Sequence, residues 1–236
     1  MDEYKLIAIV ACIILVLIII VLSSRSRIVR TYKRYMRVDN QANLTGEQFA
    51  VIAKEHLDLK GLKFALTKQK LGDAYSSKYK TLIISEEVCK TASLASLTIV
   101  AHELGHAQQH QGNNILFVLT RFLRFITNFT NILIVPLLVL GMCSKIFSYP
   151  NADIGYILIL TSIILFAIHV LNQILTVPLE YDASRRALKY LKENKFLSSN
   201  EHKKAKKLLS IAAQTYIANL LDGILILNIK KKRKRK

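Results

Sequence analysis

Cysteine is scarce in this chain, and its placement excludes two architectures. Cys12, Cys89 and Cys143 are the only three, and two of them sit inside apolar runs. That spacing makes neither a disulfide framework nor a cysteine-based metal site, and Cys89 reads as a reduced core residue. Tryptophan is absent, and acidic residues are outnumbered, with 16 Asp and Glu against 34 Lys and Arg. The resulting formal charge of +18 would suit a nucleic-acid binder if it covered one face with interleaved aromatics. Instead it clusters beside apolar runs and at the C-terminus, as cytoplasmic charge does in membrane proteins, so no nucleic-acid partner is expected. Also missing are the marks of a cleaved signal. Met1-Asp2-Glu3-Tyr4-Lys5 has no basic stretch, and Ser23-Ser24-Arg25 offers no small-x-small cleavage site.

What the chain does have is apolar length, 52% of its residues. Residues 6–22 form an uninterrupted apolar run, about 25 Å of helix, at the short end of what crosses a bilayer. The expected reading is an uncleaved transmembrane anchor over 1–24. Six basic residues between Arg25 and Arg37 then place the N-terminus outside and the following part in the cytoplasm. Residues 125–144 and 154–177 are apolar again. With Tyr149-Pro150-Asn151 in the link between them, 125–177 is expected to form a transmembrane helical hairpin. Its polar residues, Asn128, Asn131, His169, Asn172 and Gln173, are expected to pack between helices. Residues 178–229 form a C-terminal helical part. Within it, 211–228 is interrupted by Gln214, Asn219 and Asp222, and reads as a helix packed on the rest or lying at the interface, with a fourth span as the alternative. The tail 230–236, all Lys and Arg, reads as an anchor to anionic lipid.

Residues 25–124 remain for a cytoplasmic catalytic part, of which 38–92 reads as water-soluble. Thr45-Gly46-Glu47-Gln48 is a capping-box pattern that opens a helix to about residue 57. Leu62–Leu66 and Thr81–Ser85 read as short strands joined by a polar connection. Residues 93–112 form one helix, with Ser93 as N-cap and Gly112 as its stop. That helix carries His102-Glu103-Leu104-Gly105-His106, an H-E-x-x-H pattern. Two residues four apart on a helix stand about 40° apart and about 6 Å along it, so their imidazoles can converge on one ion. Glu103 projects from the same region, able to accept a proton instead of binding metal. The residues around the motif are small and apolar, and burying two His and a Glu among them is costly without a partner such as a metal.

Zinc held by protein needs a third ligand. Topology returns the chain to the same side of the membrane at Pro178-Leu179-Glu180-Tyr181-Asp182-Ala183-Ser184-Arg185-Arg186. Glu180 is either that ligand or a first-turn helix carboxylate beside two arginines.

With these stretches laid out, the chain resembles the YugP-type family of bacterial membrane zinc metallopeptidases, gluzincins distantly akin to HtpX-type membrane proteases. The resemblance runs from Leu44-Thr45-Gly46 onward and is most specific in Ala101–Gln108 and in Val177–Leu188. It implies one zinc bound by His102, His106 and Glu180, with Glu103 as general base. Family members carry Asp-His-Tyr where this chain has Asp73-Ala74-Tyr75, which puts in question any role of that His in binding substrate or stabilising the transition state. Tyr75, Arg185 and Arg186 remain as candidates for stabilising an oxyanion.

The expected fold is a mainly α membrane protein, with a small α+β zincin-like catalytic unit joined to about three transmembrane helices. The expected function is a multi-pass membrane zinc endopeptidase with its active site and C-terminus cytoplasmic. Its substrates would be peptides or membrane proteins, docked by strand addition near Thr81–Ser85. The alternative is a membrane adaptor that has lost catalysis.

Overall fold

The computed structural model describes residues 23–24, 26–147 and 152–224. The anchor expected over 1–24 lies almost wholly outside these residues, as do the hairpin link and the basic tail. Contacts divide the chain into two units: one holds Leu119–Thr176, the other Ser23–Val118 and Val177–Thr215.

The second unit carries the sheet and most of the core. A helix over residues 26–35 (α1) leads into α2, Gly46–His56. The capping box at its start is formed: the Thr45 hydroxyl accepts from Gln48 N at 3.3 Å, and Gln48 Oε1 accepts from Thr45 N at 3.0 Å. Two of the orphan donors at the helix start are thereby satisfied. Strands β1 (Lys63–Thr67), β2 (Ala74–Ser76) and β3 (Thr81–Ser85) form one sheet in the order β1-β3-β2. β1 runs parallel to β3 with Lys63 opposite Thr81, and β2 runs antiparallel with Ala74 opposite Ile83. The central position of β3 corrects the expectation that Thr81–Ser85 could receive an extended substrate. Both of its edges are already paired, so strand addition is open only to β1 or β2. The third strand, β2, lies in what the sequence presents as a polar connection, because three residues are too few to show an alternating pattern.

A short helix α3 (Glu86–Lys90) precedes α4, Leu94–Gln111. Ser93 caps α4 by accepting from Ser96 N at 3.0 Å. At the other end Gly112 keeps a right-handed φ of −79°, and the left-handed residue is Asn113 at φ 48°. Asparagine tolerates that conformation better than most side chains. Leu94, Leu97, Val100 and Leu104 of α4 are fully buried with Phe49, Leu82, Val88 and Leu191. The last helix, α7 (Ser199–Ile224), opens with a second capping box, in which Ser198 N and Oγ both donate to Glu201 Oε2.

The two long helices are α5, Ile115–Phe147, and α6, Ala152–Glu193. Both are long and apolar enough to cross a membrane, and among the described residues they are the two that are. Both run well past the apolar segments expected from sequence. α6 continues unbroken through Pro178, whose missing N–H costs one helical hydrogen bond without ending the helix. Glu180 therefore sits well inside a helix, which removes its reading as a first-turn carboxylate. Within the hairpin unit, Ser162 Oγ donates to the Ile134 carbonyl at 2.7 Å. Gly141 and Gly155 meet so closely that a Cβ built on either would lie 2.8 Å from the other's carbonyl oxygen. Small residues of this kind let helices approach in a membrane.

Candidate metal centre

α4 and α6 cross where α4 has no side chain. A Cβ on Gly105 would stand 2.6 Å from the Ala183 carbonyl oxygen. The glycine inside the H-E-x-x-H pattern thus lets the helix carrying His102 and His106 lie against the one carrying Glu180. Glu180 Oε2 is 3.1 Å from His102 Nε2 and 3.3 Å from His106 Nε2. One ligating atom from each of the three side chains lies within 4.8 Å of the others. Their side-chain exposures are only 12%, 13% and 6%, so the cluster is largely removed from water.

The cluster fits zinc. Two ligands each 2.0–2.2 Å from a tetrahedral zinc stand about 3.3–3.6 Å apart, and two nitrogens with one carboxylate form a usual donor set. Both histidines present Nε2 inward because Nδ1 is engaged behind them. His106 Nδ1 meets Gln109 Oε1 at 2.9 Å, and His102 Nδ1 meets Ser184 Oγ at 3.2 Å. Such partners behind the ligands are what hold a metal site in shape.

Glu103 stands beside this cluster. Its Oε2 accepts from Tyr75 N, in β2, at 2.8 Å. Burial raises its carboxyl above the ordinary carboxylate range, against the opposing pull of His102, His106 and the Tyr75 N–H. For His106, burial disfavours the charged form, but the hydrogen bond and charge of Glu180 outweigh it and bring the imidazole up to about 9 in the protein alone. Opposite signs are therefore packed together where a cation of higher charge would be well received.

The other residues singled out from sequence take different places. Tyr75 Oη is 2.8 Å from His110 Nδ1, and the His110 ring stacks on Phe117 at 5.3 Å. His110 thus lies on the Tyr75 side and not among the three converging donors. Ala74 is exposed at the start of β2. Arg185 and Arg186 bind the two oxygens of Asp182 at 2.8 and 2.7 Å, which commits both to an ion pair. Asp73 accepts from Ser85 N at 2.6 Å and from Ser85 Oγ at 3.2 Å, and so ties the entry of β2 to the end of β3. A cavity of about 320 Å³ borders Tyr75, Ala107, His110, Leu59, Leu62 and Lys80. Ala107 and His110 continue along α4 the stripe that begins at Glu103, four and seven residues on.

Gln109, Asp182 and Ser184 were not singled out by the sequence reading. The available signal was helical spacing alone. Gln109 lies three residues from His106, and Ser184 lies four from Glu180, so each falls on the face of its helix that carries a ligand.

With this geometry in view, the relatives of the chain become informative. Residues 9–229 match the family model described as "Putative neutral zinc metallopeptidase". The chain belongs to this family. It is 32% identical over 196 residues to "Putative membrane protease YugP" of Bacillus subtilis (strain 168), a match covering 82% of each chain. No solved structure matches it. Membership of the neutral zinc metallopeptidases implies zinc, and His102, His106 and Glu180 are the donors that the fold brings to one point.

Proposed function

We propose that the protein is a membrane-bound zinc endopeptidase in which His102, His106 and Glu180 hold the metal and Glu103 is the general base. One observation carries the reading: three donors from two helices, 78 residues apart in sequence for His102 and Glu180, converge at 3.1–3.3 Å beside the partly buried Glu103. Zinc bound there supplies Lewis acidity toward the scissile carbonyl and toward the attacking water. Glu103 accepts the proton of that water and returns it to the leaving amine. The Tyr75 N–H holds one of its oxygens in place.

The edge strand β2 borders Glu103 and is short and antiparallel to β3, so an extended peptide laid along it would pass the metal centre. The neighbouring cavity at Leu59, Leu62 and Ala107 would receive one of its side chains. Placement at the cytoplasmic face of the cell membrane is supported by the basic residues that follow the expected anchor and by the basic tail. It makes juxtamembrane segments and misfolded membrane proteins the substrate class, with anionic lipid as the partner of the tail. The absence of the family's His at Ala74 leaves every metal donor in place.

The test is a peptide library incubated with purified, zinc-loaded protein, with new N-termini identified by mass spectrometry. Cleavage by the wild type that falls about 10²–10⁴-fold in Glu103→Gln, at unchanged zinc content, is the expected result. Equal cleavage by the variant would remove Glu103 from the chemistry.

A further inference from the structure

We infer that Gln109 and Asp182 are positioning residues that fix which nitrogen of His106 faces the metal and lock the backbone beside Glu180 at the same time. The inference rests on the metal reading above and adds to it a second layer drawn from both helices.

Gln109 is completely buried on α4. Its amide nitrogen donates twice, to the Leu179 carbonyl at 2.9 Å and to Asp182 Oδ2 at 3.0 Å. Both of its N–H groups are thereby used, and its oxygen is left at 2.9 Å from His106 Nδ1. The reverse orientation of the amide would set its oxygen against a carbonyl and a carboxylate, with no proton between them. The direction of the side chain is therefore determined by its surroundings. An amide oxygen can only accept, so Nδ1 of His106 must carry the proton, and Nε2 is the atom with a lone pair for a metal. Asp182 is itself fixed by Arg185 at 2.8 Å and Arg186 at 2.7 Å. A continuous path thus runs from two arginines through Asp182 and Gln109 to His106.

The second consequence concerns Glu180. Leu179, whose carbonyl Gln109 holds, is its immediate neighbour on α6. One side chain therefore ties together a ligand on α4 and the backbone that carries the ligand on α6. His102 is served differently. Ser184 Oγ, at 3.2 Å from its Nδ1, can donate or accept, and so imposes no tautomer. The two histidines are thus unequal, with His106 the preset one.

The test is zinc affinity of the detergent-purified full chain, measured by competition with a chromophoric chelator. Gln109→Met keeps the volume and removes all three hydrogen bonds, and it should weaken zinc by about 10- to 100-fold, the range typical of partners behind metal ligands. Ser184→Ala should cost less than Gln109→Met. Affinity in Gln109→Met equal to the wild type would overturn the proposal and leave the zinc site standing. No zinc binding by the wild type would overturn both. Should Gln109→Met fail to fold, two-bond ¹H–¹⁵N spectra of the zinc-loaded wild type decide the matter. A proton on Nδ1 of His106 is expected, and a proton on Nε2 contradicts the assignment.

Discussion

The two units of this protein treat polar atoms in opposite ways. In the unit that holds the sheet, the side chains of His102, His106, Glu180 and Gln109 all have hydrogen-bond partners within 3.3 Å. In the hairpin unit, the side-chain oxygens of Asn131 and Asn172 are buried and meet no hydrogen-bond donor among the described residues. Apolar side chains are reversed as well. Leu94, Leu97 and Leu104 are sealed from solvent, whereas Phe122, Phe125, Phe129 and Ile132 are 60–78% exposed. Only 17% and 11% of the most apolar stretches of α5 and α6 are buried. An exposed face of this kind is unfavourable in water and costs nothing against lipid tails. The difference is what two solvents would ask of one chain. Among the described residues, the bonded polar atoms gather in the unit that holds the candidate metal centre.

That contrast can be broken by substitutions made in matched pairs. The largest effect is expected at Gly105. Gly105→Leu pushes a side chain into the Ala183 carbonyl. It should destabilise by about 3 kcal/mol, at the upper end for an overpacked contact, and abolish zinc retention, read by thermal unfolding in detergent and by metal analysis. Its counterpart, Gly141→Leu, meets the Gly155 carbonyl and Ile159. It should cost about 2 kcal/mol while leaving one zinc per chain, and a loss of zinc here would show that the units are not separable. The smallest effect is the most discriminating. Asn172→Leu removes a buried oxygen that has no donor, and it should raise the melting temperature or leave it unchanged. Gln109→Leu removes a fully bonded amide and should cost about 1–3 kcal/mol. If Asn172→Leu destabilises as much as Gln109→Leu, Asn172 has a partner in the intact protein and the contrast fails.

Much of the candidate site was legible in the sequence because it is written at helical spacing. His102, Glu103 and His106 fall within five residues, and Thr45 and Ser93 announce their helices through local hydrogen bonds. The approach of Glu180 was legible as topology: a hairpin must bring the chain back. What decides its distance was not, since it depends on the missing Cβ of Gly105 against the Ala183 carbonyl, a contact 78 residues away. β2 escaped because it is three residues long, and its pairing with β3 made Thr81–Ser85 an interior strand where sequence suggested an accessible one. The division between 125–177 and 178–229 followed the end of the apolar run, and a change of composition need not end a helix: α6 continues straight through Pro178. Gln109 showed only the helical spacing that puts it on the face of His106, and Asp182 showed no signal at all, since it acts through Gln109 on the other helix.

The claim at the centre of this account is that two helices assemble one zinc site. Metal analysis of the detergent-purified protein, wild type beside Glu180→Ala, tests it most directly. The account predicts about one zinc per chain in the wild type and clear loss in the variant, since removing one of three protein ligands leaves only two histidines. Equal zinc in both proteins, or none in either after reconstitution, would contradict it.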